Sequence, residues 1–133
     1  MKFRHCSRHR DESRADRGAV DVSIQMLFGF MAVLFSMLLI VEAVAYWHAR
    51  NVFDDAAAEG ARVAAAFDGS CGRGTAAARA MVARHAGGWG RNVVVTCTDG
   101  PVVVVVVSGT TPGLIVPALG FTARVTESAP KER

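Results

Sequence analysis

The sequence predicts an α+β protein in which a single transmembrane helix continues as a long amphipathic helix, followed by a short helix and a small three-stranded antiparallel sheet. Three observations predict this fold class. An apolar run over residues 24–47 is long enough to cross a bilayer, an Ala-rich run with helical spacing follows it, and an Asp-Gly turn at residues 99–101 joins two Val-rich runs. The chain has 133 residues, so it holds one small domain with an anchor.

The positive charge of the chain lies at its N-terminal end. Residues 1–18 contain six Lys or Arg against three Asp or Glu, whereas the rest of the chain contains nine of each. A nucleic-acid interface needs a basic patch on a folded face, so we expect no nucleic-acid partner. We interpret residues 1–18 as a basic cytoplasmic leader, and residues 19–68 as the transmembrane helix and its extracytoplasmic continuation.

The apolar run at residues 24–47 contains only three polar side chains. At the helical rise its 24 residues cover about 36 Å, against a hydrocarbon core of about 30 Å. The basic leader places the N-terminus in the cytoplasm and the C-terminal part outside, because positively charged flanks stay inside. Tyr46 and Trp47 then fall at the outer headgroups. One alternative is a buried core helix, but the rest of the chain is too small to surround it. The other is a cleaved secretory signal, but no clear cleavage site ends the run.

Glu42 is the one carboxylate inside this run. An acidic group at the centre of a bilayer costs about 2.5–3.5 kcal/mol, and less near the interface. Two interpretations follow from its position about one turn before the aromatic pair. Either the side chain extends to the headgroups, or it makes a polar contact with a neighbouring subunit.

The helix is predicted to continue past the membrane to about residue 67. The run after Trp47 has no proline and a single glycine, and alanine is the best helix former. Gly69 is expected to end it as a left-handed C′ residue. A stripe of small and apolar residues allows close packing, either against another helix or against the chain's own sheet. The stripe recurs every three or four positions, at Ala49, Phe53, Ala56, Gly60, Val63 and Phe67.

Residues 69–127 are predicted to form a small extracytoplasmic α+β domain, and residues 128–133 a frayed tail. Thr75 is the expected N-cap of the short helix, which ends before Gly87. Six consecutive valines, which do not alternate with polar residues, predict a strand covered on both faces. The helix is expected over residues 75–85, and the strands over residues 92–98, 102–108 and 121–127.

Two of the three cysteines, Cys71 and Cys97, fall in the domain predicted to lie outside, and Cys6 falls inside. An oxidising exterior favours a disulfide between the two outer cysteines. Closing a loop of 26 residues stabilises a fold by about 3–4 kcal/mol in the chain-entropy model. Two free buried thiols, or a metal site completed by a histidine, are the alternatives.

The sequence contains no recognisable constellation for catalysis. It has no HExxH, no GxSxG and no Gly-rich phosphate loop after a strand. We therefore expect no catalytic, cofactor-binding or metal-binding residues and no small-molecule substrate. The interpretation is an anchored structural or assembly protein.

Two stretches of the sequence resemble one protein family. The first is an Arg-Gly-Ala-Val junction at residues 17–20, directly before the apolar run. The second is VEAVAYWHARNVFDDAAAEGARVAAA at residues 41–66. Together they resemble the TadE-like family of tight-adherence (Flp) pilus proteins, whose members carry such a junction, a span ending in a glutamate, and an AA-x-E-G-A-R-x-AA segment. The C-terminal stretch FTARVTES, behind Pro-Gly-Leu-Ile, is similar to the family's final strand.

The resemblance implies a pilin-like fold and a non-enzymatic, pseudopilin-like minor component of a type IVb pilus or related secretion apparatus in the bacterial cell membrane. It implies other pilus or secretion subunits as partners, and a prepilin peptidase that cuts between Gly18 and Ala19. The family's glutamate at the fifth position after the cut is Ser23 here, and the nearest acid is Asp21. Asp21 and Glu42 are thus the candidate assembly contacts. Either Asp21 substitutes for the glutamate, or the protein stays uncleaved as a membrane-bound assembly factor.

A second function is compatible with the same residues. The chain is then a signal-anchored envelope protein whose outer sheet domain binds a partner unrelated to pili. The valine-rich strand and the loop over residues 109–120 motivate this alternative.

Overall fold

The computed structural model describes residues 9–111, 113 and 120–132, and the side chains among them at residues 22–88, 92–111, 113 and 120–132. The chain divides into two compact units, Met1–Leu39 and Ile40–Arg133, which are treated separately. The α+β fold class predicted from the sequence is confirmed. The elements are α1 (His9–Ala65), α2 (Cys71–Ala86), a 3₁₀ helix (Gly87–Asn92), and strands β1 (Val94–Thr98), β2 (Val102–Thr110) and β3 (Thr122–Pro130).

In the first unit, α1 begins at His9, which is earlier than the predicted start near residue 20. The added residues, 9–19, contain no proline and are rich in Arg, Asp, Glu and Ala, which a helix tolerates. The described side chains of this unit are exposed, including large apolar ones such as Met26 and Phe28. The part of α1 whose side chains are described, Val22–Ala65, contains a stretch long and apolar enough to cross a membrane.

In the second unit, the C-terminal part of α1 supplies one side of the hydrophobic core. Phe53 is fully buried, and so are Ala56 and Gly60 of the predicted stripe. Phe67 is 78 % exposed, because α1 ends at Ala65 and the chain leaves the helical phase before reaching it. The prediction was therefore right for most of the stripe and wrong at its end.

Gly69 lies in the short connection between α1 and α2, but it does not have the left-handed conformation that the sequence predicted. Its φ is not positive, so it is not a left-handed C′ residue. A Cβ at this position would instead collide with the carbonyl oxygens of Val63 and Ala64. The Gly69 N–H donates to the Ala66 carbonyl at 2.8 Å, which folds the chain tightly over the helix end.

Helix α2 starts four residues earlier than predicted. Ser70 is its N-cap, with extended backbone (φ −144°, ψ 157°) and a hydroxyl that accepts from the Arg73 N–H at 3.3 Å. Thr75, the predicted cap, lies inside the helix and donates its hydroxyl to the Gly72 carbonyl at 3.1 Å. The expected end is confirmed, since Gly87 follows the last residue with φ 53°, a conformation that glycine adopts without steric cost.

The three strands form an antiparallel sheet in the order β1-β2-β3. Val105 at the centre of β2 pairs with Cys97 on one side and Glu127 on the other. Burial alternates along β2: Val103, Val105 and Val107 are inaccessible, whereas the valines between them are only half-buried and Val102 is 49 % exposed. Within the chain the second face of β2 is thus only partly covered, which a pleated strand of β-branched side chains tolerates. Coverage of that face by a second protein stays a prediction.

The C-terminal residues are ordered by hydrogen bonds, contrary to the predicted frayed tail. Strand β3 continues to Pro130, three residues beyond its predicted end. The Lys131 N–H then donates to the Pro101 carbonyl at 3.1 Å, and the Glu132 N–H donates to the Ala65 carbonyl at 2.9 Å. These two bonds fasten the end of the chain to the hairpin turn and to the end of α1.

Candidate functional site

The predicted processing site lies within α1. Gly18, Ala19 and Asp21 all belong to the helix that begins at His9. Their side chains are outside the described set, so the structure gives only their helical backbone. Cleavage between Gly18 and Ala19, and an assembly contact at Asp21, remain predictions.

In the apolar part of α1, the exposed Ser36 side chain bonds to the backbone of its own helix. The Ser36 hydroxyl donates to the Ala32 carbonyl at 2.8 Å, one turn earlier. The hydroxyl is therefore paired without a partner from outside the helix, which is compatible with a hydrocarbon environment. Glu42 is half-buried on α1, and its contact with a neighbouring subunit remains a prediction.

The end of the apolar run contacts the residue that precedes β3. The rings of Tyr46 and Phe121 meet edge to face, with centroids 5.9 Å apart and planes at 73°. Tyr46 is half-buried and packs against the core, whereas Trp47 is 66 % and Phe121 53 % exposed. Sequence reasoning placed Tyr46 and Trp47 together but missed Phe121, which is 75 positions away in the chain.

The backbone of Phe121 is fixed by hydrogen bonds from Thr111. The Thr111 N–H and hydroxyl both donate to the Phe121 carbonyl, at 2.9 and 3.0 Å. Thr111 is the one buried polar residue in the described part of the chain, and these bonds satisfy it. A Cβ at Gly120 would collide with the Thr111 carbonyl oxygen, so the backbone at residue 120 approaches the backbone at residue 111 as closely as only glycine allows.

A disulfide joins Cys71 and Cys97, which confirms the predicted pairing over the alternatives of free thiols and a metal site. Cys71 is the first residue of α2 and Cys97 lies in β1, with Cα atoms 5.5 Å apart. The sequence separation is 26 residues. The bridge therefore fastens the start of α2 to β1, an edge strand of the sheet.

Helices α1 and α2 pack closely through glycine and alanine. A Cβ added at Gly74 would lie 2.6 Å from both the Ala64 Cβ and the Gly60 carbonyl oxygen. A Cβ at Gly60 would lie 3.0 Å from the Ala78 Cβ and 3.3 Å from a Val105 methyl. The small-residue stripe of α1 is thus used by the chain's own α2 and sheet, which settles the choice left open by the sequence for this part of the stripe.

Two ion pairs lie at connections between elements, one between α1 and α2 and one between the β1–β2 turn and the residue after β3. Lys131 Nζ lies 2.9 Å from Asp99 Oδ1, and Arg73 lies 2.8 Å from an Asp68 carboxylate oxygen. Hydrogen bonds from these cations lower the pKa of Asp99 and of Asp68 below the usual 3.8. Because the folded-state pKa is depressed, the stabilisation is present above pH 3.8 and is lost as the pH falls through the lower folded value. The side chains are exposed, so the effect is small.

Comparison with known proteins adds no assignment, since no protein-family model, no curated protein and no solved structure matches the chain. Within the described residues, no group of three or more His, Cys, Asp or Glu side chains is arranged to hold a metal ion. The first unit presents an exposed apolar helix, and the second contains the Tyr46–Phe121 ring contact and a small disulfide-closed domain.

Proposed function

We propose that the chain is a non-enzymatic, membrane-anchored, pseudopilin-like component of a tight-adherence (type IVb/Flp) pilus or a related secretion apparatus. The observation that carries the proposal is that α1 first presents exposed apolar side chains and then supplies the core of a small α+β domain. A subunit that waits in a membrane and joins an assembly outside needs both parts. The TadE-like resemblance of the junction and the Ala-rich segment supports the same class.

The orientation in this proposal has the N-terminus in the cytoplasm and the domain outside the bacterial cell membrane. The net positive charge of residues 1–18 supports it through the positive-inside rule. The Cys71–Cys97 disulfide supports it independently, because such bonds persist in oxidising compartments. The partners are the membrane and other subunits of the apparatus.

Processing by a prepilin peptidase between Gly18 and Ala19 is part of the proposal. Removal of the leader would delete six basic side chains and leave Ala19 with a new positive amino group. Asp21, two residues away, is the nearest carboxylate and would take the place of the family's glutamate at Ser23. Glu42 is the second candidate contact for a neighbouring subunit.

The test of processing compares the full chain with Gly18→Val, in bacteria that express a prepilin peptidase. We expect N-terminal sequencing to read Ala19 for the unmodified chain and Met1 for Gly18→Val, because a branched side chain blocks the small-residue position before the cut. Gly29→Val is the control, since nothing lies within 4 Å of a Cβ at Gly29. Met1 at the N-terminus of the unmodified chain would contradict cleavage and leave an uncleaved assembly factor. Gene deletion without loss of pilus formation or adherence would contradict both versions.

The alternative, a signal-anchored envelope protein with an unrelated partner, is favoured by one observation. The sheet face opposite the helices presents Val94 and Val102 with about half their surface exposed. Genes for a secretion ATPase and polytopic platform proteins beside this one would favour the pilus proposal. Their absence would favour the alternative.

A further inference from the structure

We propose that the domain touches the membrane at a second place, through an aromatic foot formed by Tyr46, Trp47 and Phe121. The occupant of this surface is the headgroup and upper acyl region of the leaflet in which the apolar run of α1 ends. This inference rests on the membrane span in the proposed function, and adds to it a contact made by a residue that lies far from the span in sequence.

The geometry puts Phe121 at the depth of the span's last turn. Its ring centroid is 5.9 Å from that of Tyr46, which lies at the end of the apolar run. The exposed large apolar side chains of α1 stop at Trp47, after which His48 and Arg50 follow. An aromatic ring that contacts Tyr46 therefore lies in the same layer as Trp47, where amphipathic and aromatic rings are enriched in membrane proteins.

The foot is held in place by the fold. Thr111 donates two hydrogen bonds to the Phe121 carbonyl, and the close approach of Gly120 to Thr111 leaves no room for a side chain there. Tyr46 packs against the hydrophobic core. The exposure of Phe121 and Trp47 is thus a property of a fixed surface, since their neighbours are anchored from within the domain.

The sequence around Phe121 has the composition of a lipid contact. No charged residue occurs from Val102 to Ala123, and residues 112–120 contain only Pro, Gly, Ala, Leu, Ile and Val. Phe67, the other exposed phenylalanine of the second unit, lies beside the ion pair of Asp68 with Arg73. Charged neighbours suit contact with water, whereas the absence of charged residues in the sequence from Val102 to Ala123 suits an exposed ring at the membrane interface.

The test uses single-tryptophan variants of the full chain in phosphatidylcholine vesicles whose acyl chains carry bromine, which quenches tryptophan on contact. In a W47F/W89F background, one variant carries F121W and the matched control carries F67W. The described end of α1, Ala65, lies about 27 Å along the helix from Trp47, which puts the control outside the interface. We expect at least about twofold stronger quenching of F121W than of F67W, since interfacial rings contact acyl chains.

Three results have defined meanings. Equal quenching of F121W and F67W would overturn the foot. Quenching of F121W that varies with the protein-to-lipid ratio would assign the surface to a second copy and would also overturn it. The W89F single variant keeps Trp47 and therefore reports on the span. Quenching of Trp47 without quenching of F121W refutes the foot alone. No quenching of Trp47 refutes the span. Should F121W fail to fold, judged by loss of the Cys71–Cys97 bridge, Tyr46→Trp in the same background takes its place, because Tyr46 is the ring that contacts Phe121. Quenching of this variant no stronger than that of F67W would then overturn the foot.

Discussion

Truncating Phe53 to alanine is expected to destabilise the second unit by about 3–5 kcal/mol, the usual cost of removing a buried aromatic ring. Phe53 is fully inaccessible and lies at the centre of the core that α1 shares with the sheet. A Cβ at Gly109 would be only 2.9 Å from its Cζ, so the ring rests directly on the backbone of β2. Little of the surrounding structure can close over the cavity, because β2 is the central strand of the sheet.

Urea denaturation of the full chain in detergent micelles, followed by far-UV circular dichroism, measures this effect. Phe67→Ala is the matched control: the same side chain is lost from a position that is 78 % exposed, and we expect a change within about 0.5 kcal/mol. Similar unfolding free energies for F53A and F67A would contradict the packing described for the core.

The second large effect is expected from removing the disulfide. The C71S/C97S double variant should lose about 3.5 kcal/mol of unfolding free energy, the chain-entropy value for a loop of 26 residues. Three of the four buried residues of α2, Gly74, Ala78 and Ala86, are glycine or alanine, which bury little apolar surface per residue, and Val82 is the fourth. We expect the reduced unmodified protein to unfold at the same urea concentration as the double variant.

The control for this prediction is Cys6→Ser, which should leave the transition unchanged under oxidising conditions, because Cys6 is not part of the bridge. Two results would count against the account. One is an unfolding midpoint for C71S/C97S that equals that of the oxidised protein. The other is a shift of the midpoint in C6S.

The parts of the fold that the sequence predicted well are those decided by local chemistry. The Asp-Gly turn at residues 99–101 and the valines beside it specify a hairpin without help from the rest of the chain. The Ala-rich run specifies a helix for the same reason. The pairing of Cys71 with Cys97 was predictable because only these two of the three cysteines fall in the part of the chain predicted to lie outside.

The parts that were missed depend on tertiary contacts. Gly72 and Gly74 have low helix propensity, so the sequence alone starts α2 at Thr75, yet Gly74 is what lets α2 approach Ala64 of α1. The contact of Phe121 with Tyr46 has no local signal, because it joins residues on two distant elements. The alternating burial of β2 was missed for a related reason, since valine occupies its half-exposed face as well as its buried one.

The central claim is that the apolar run of α1 crosses a membrane and carries the disulfide-closed domain to the far side. Protease protection tests it most directly, with spheroplasts of cells expressing the full chain with one tag at each terminus. The account predicts that protease added outside removes the C-terminal tag while the N-terminal fragment stays protected in the membrane pellet after alkaline extraction. A C-terminal tag that survives in intact spheroplasts, or a chain released to the soluble fraction without detergent, would contradict it.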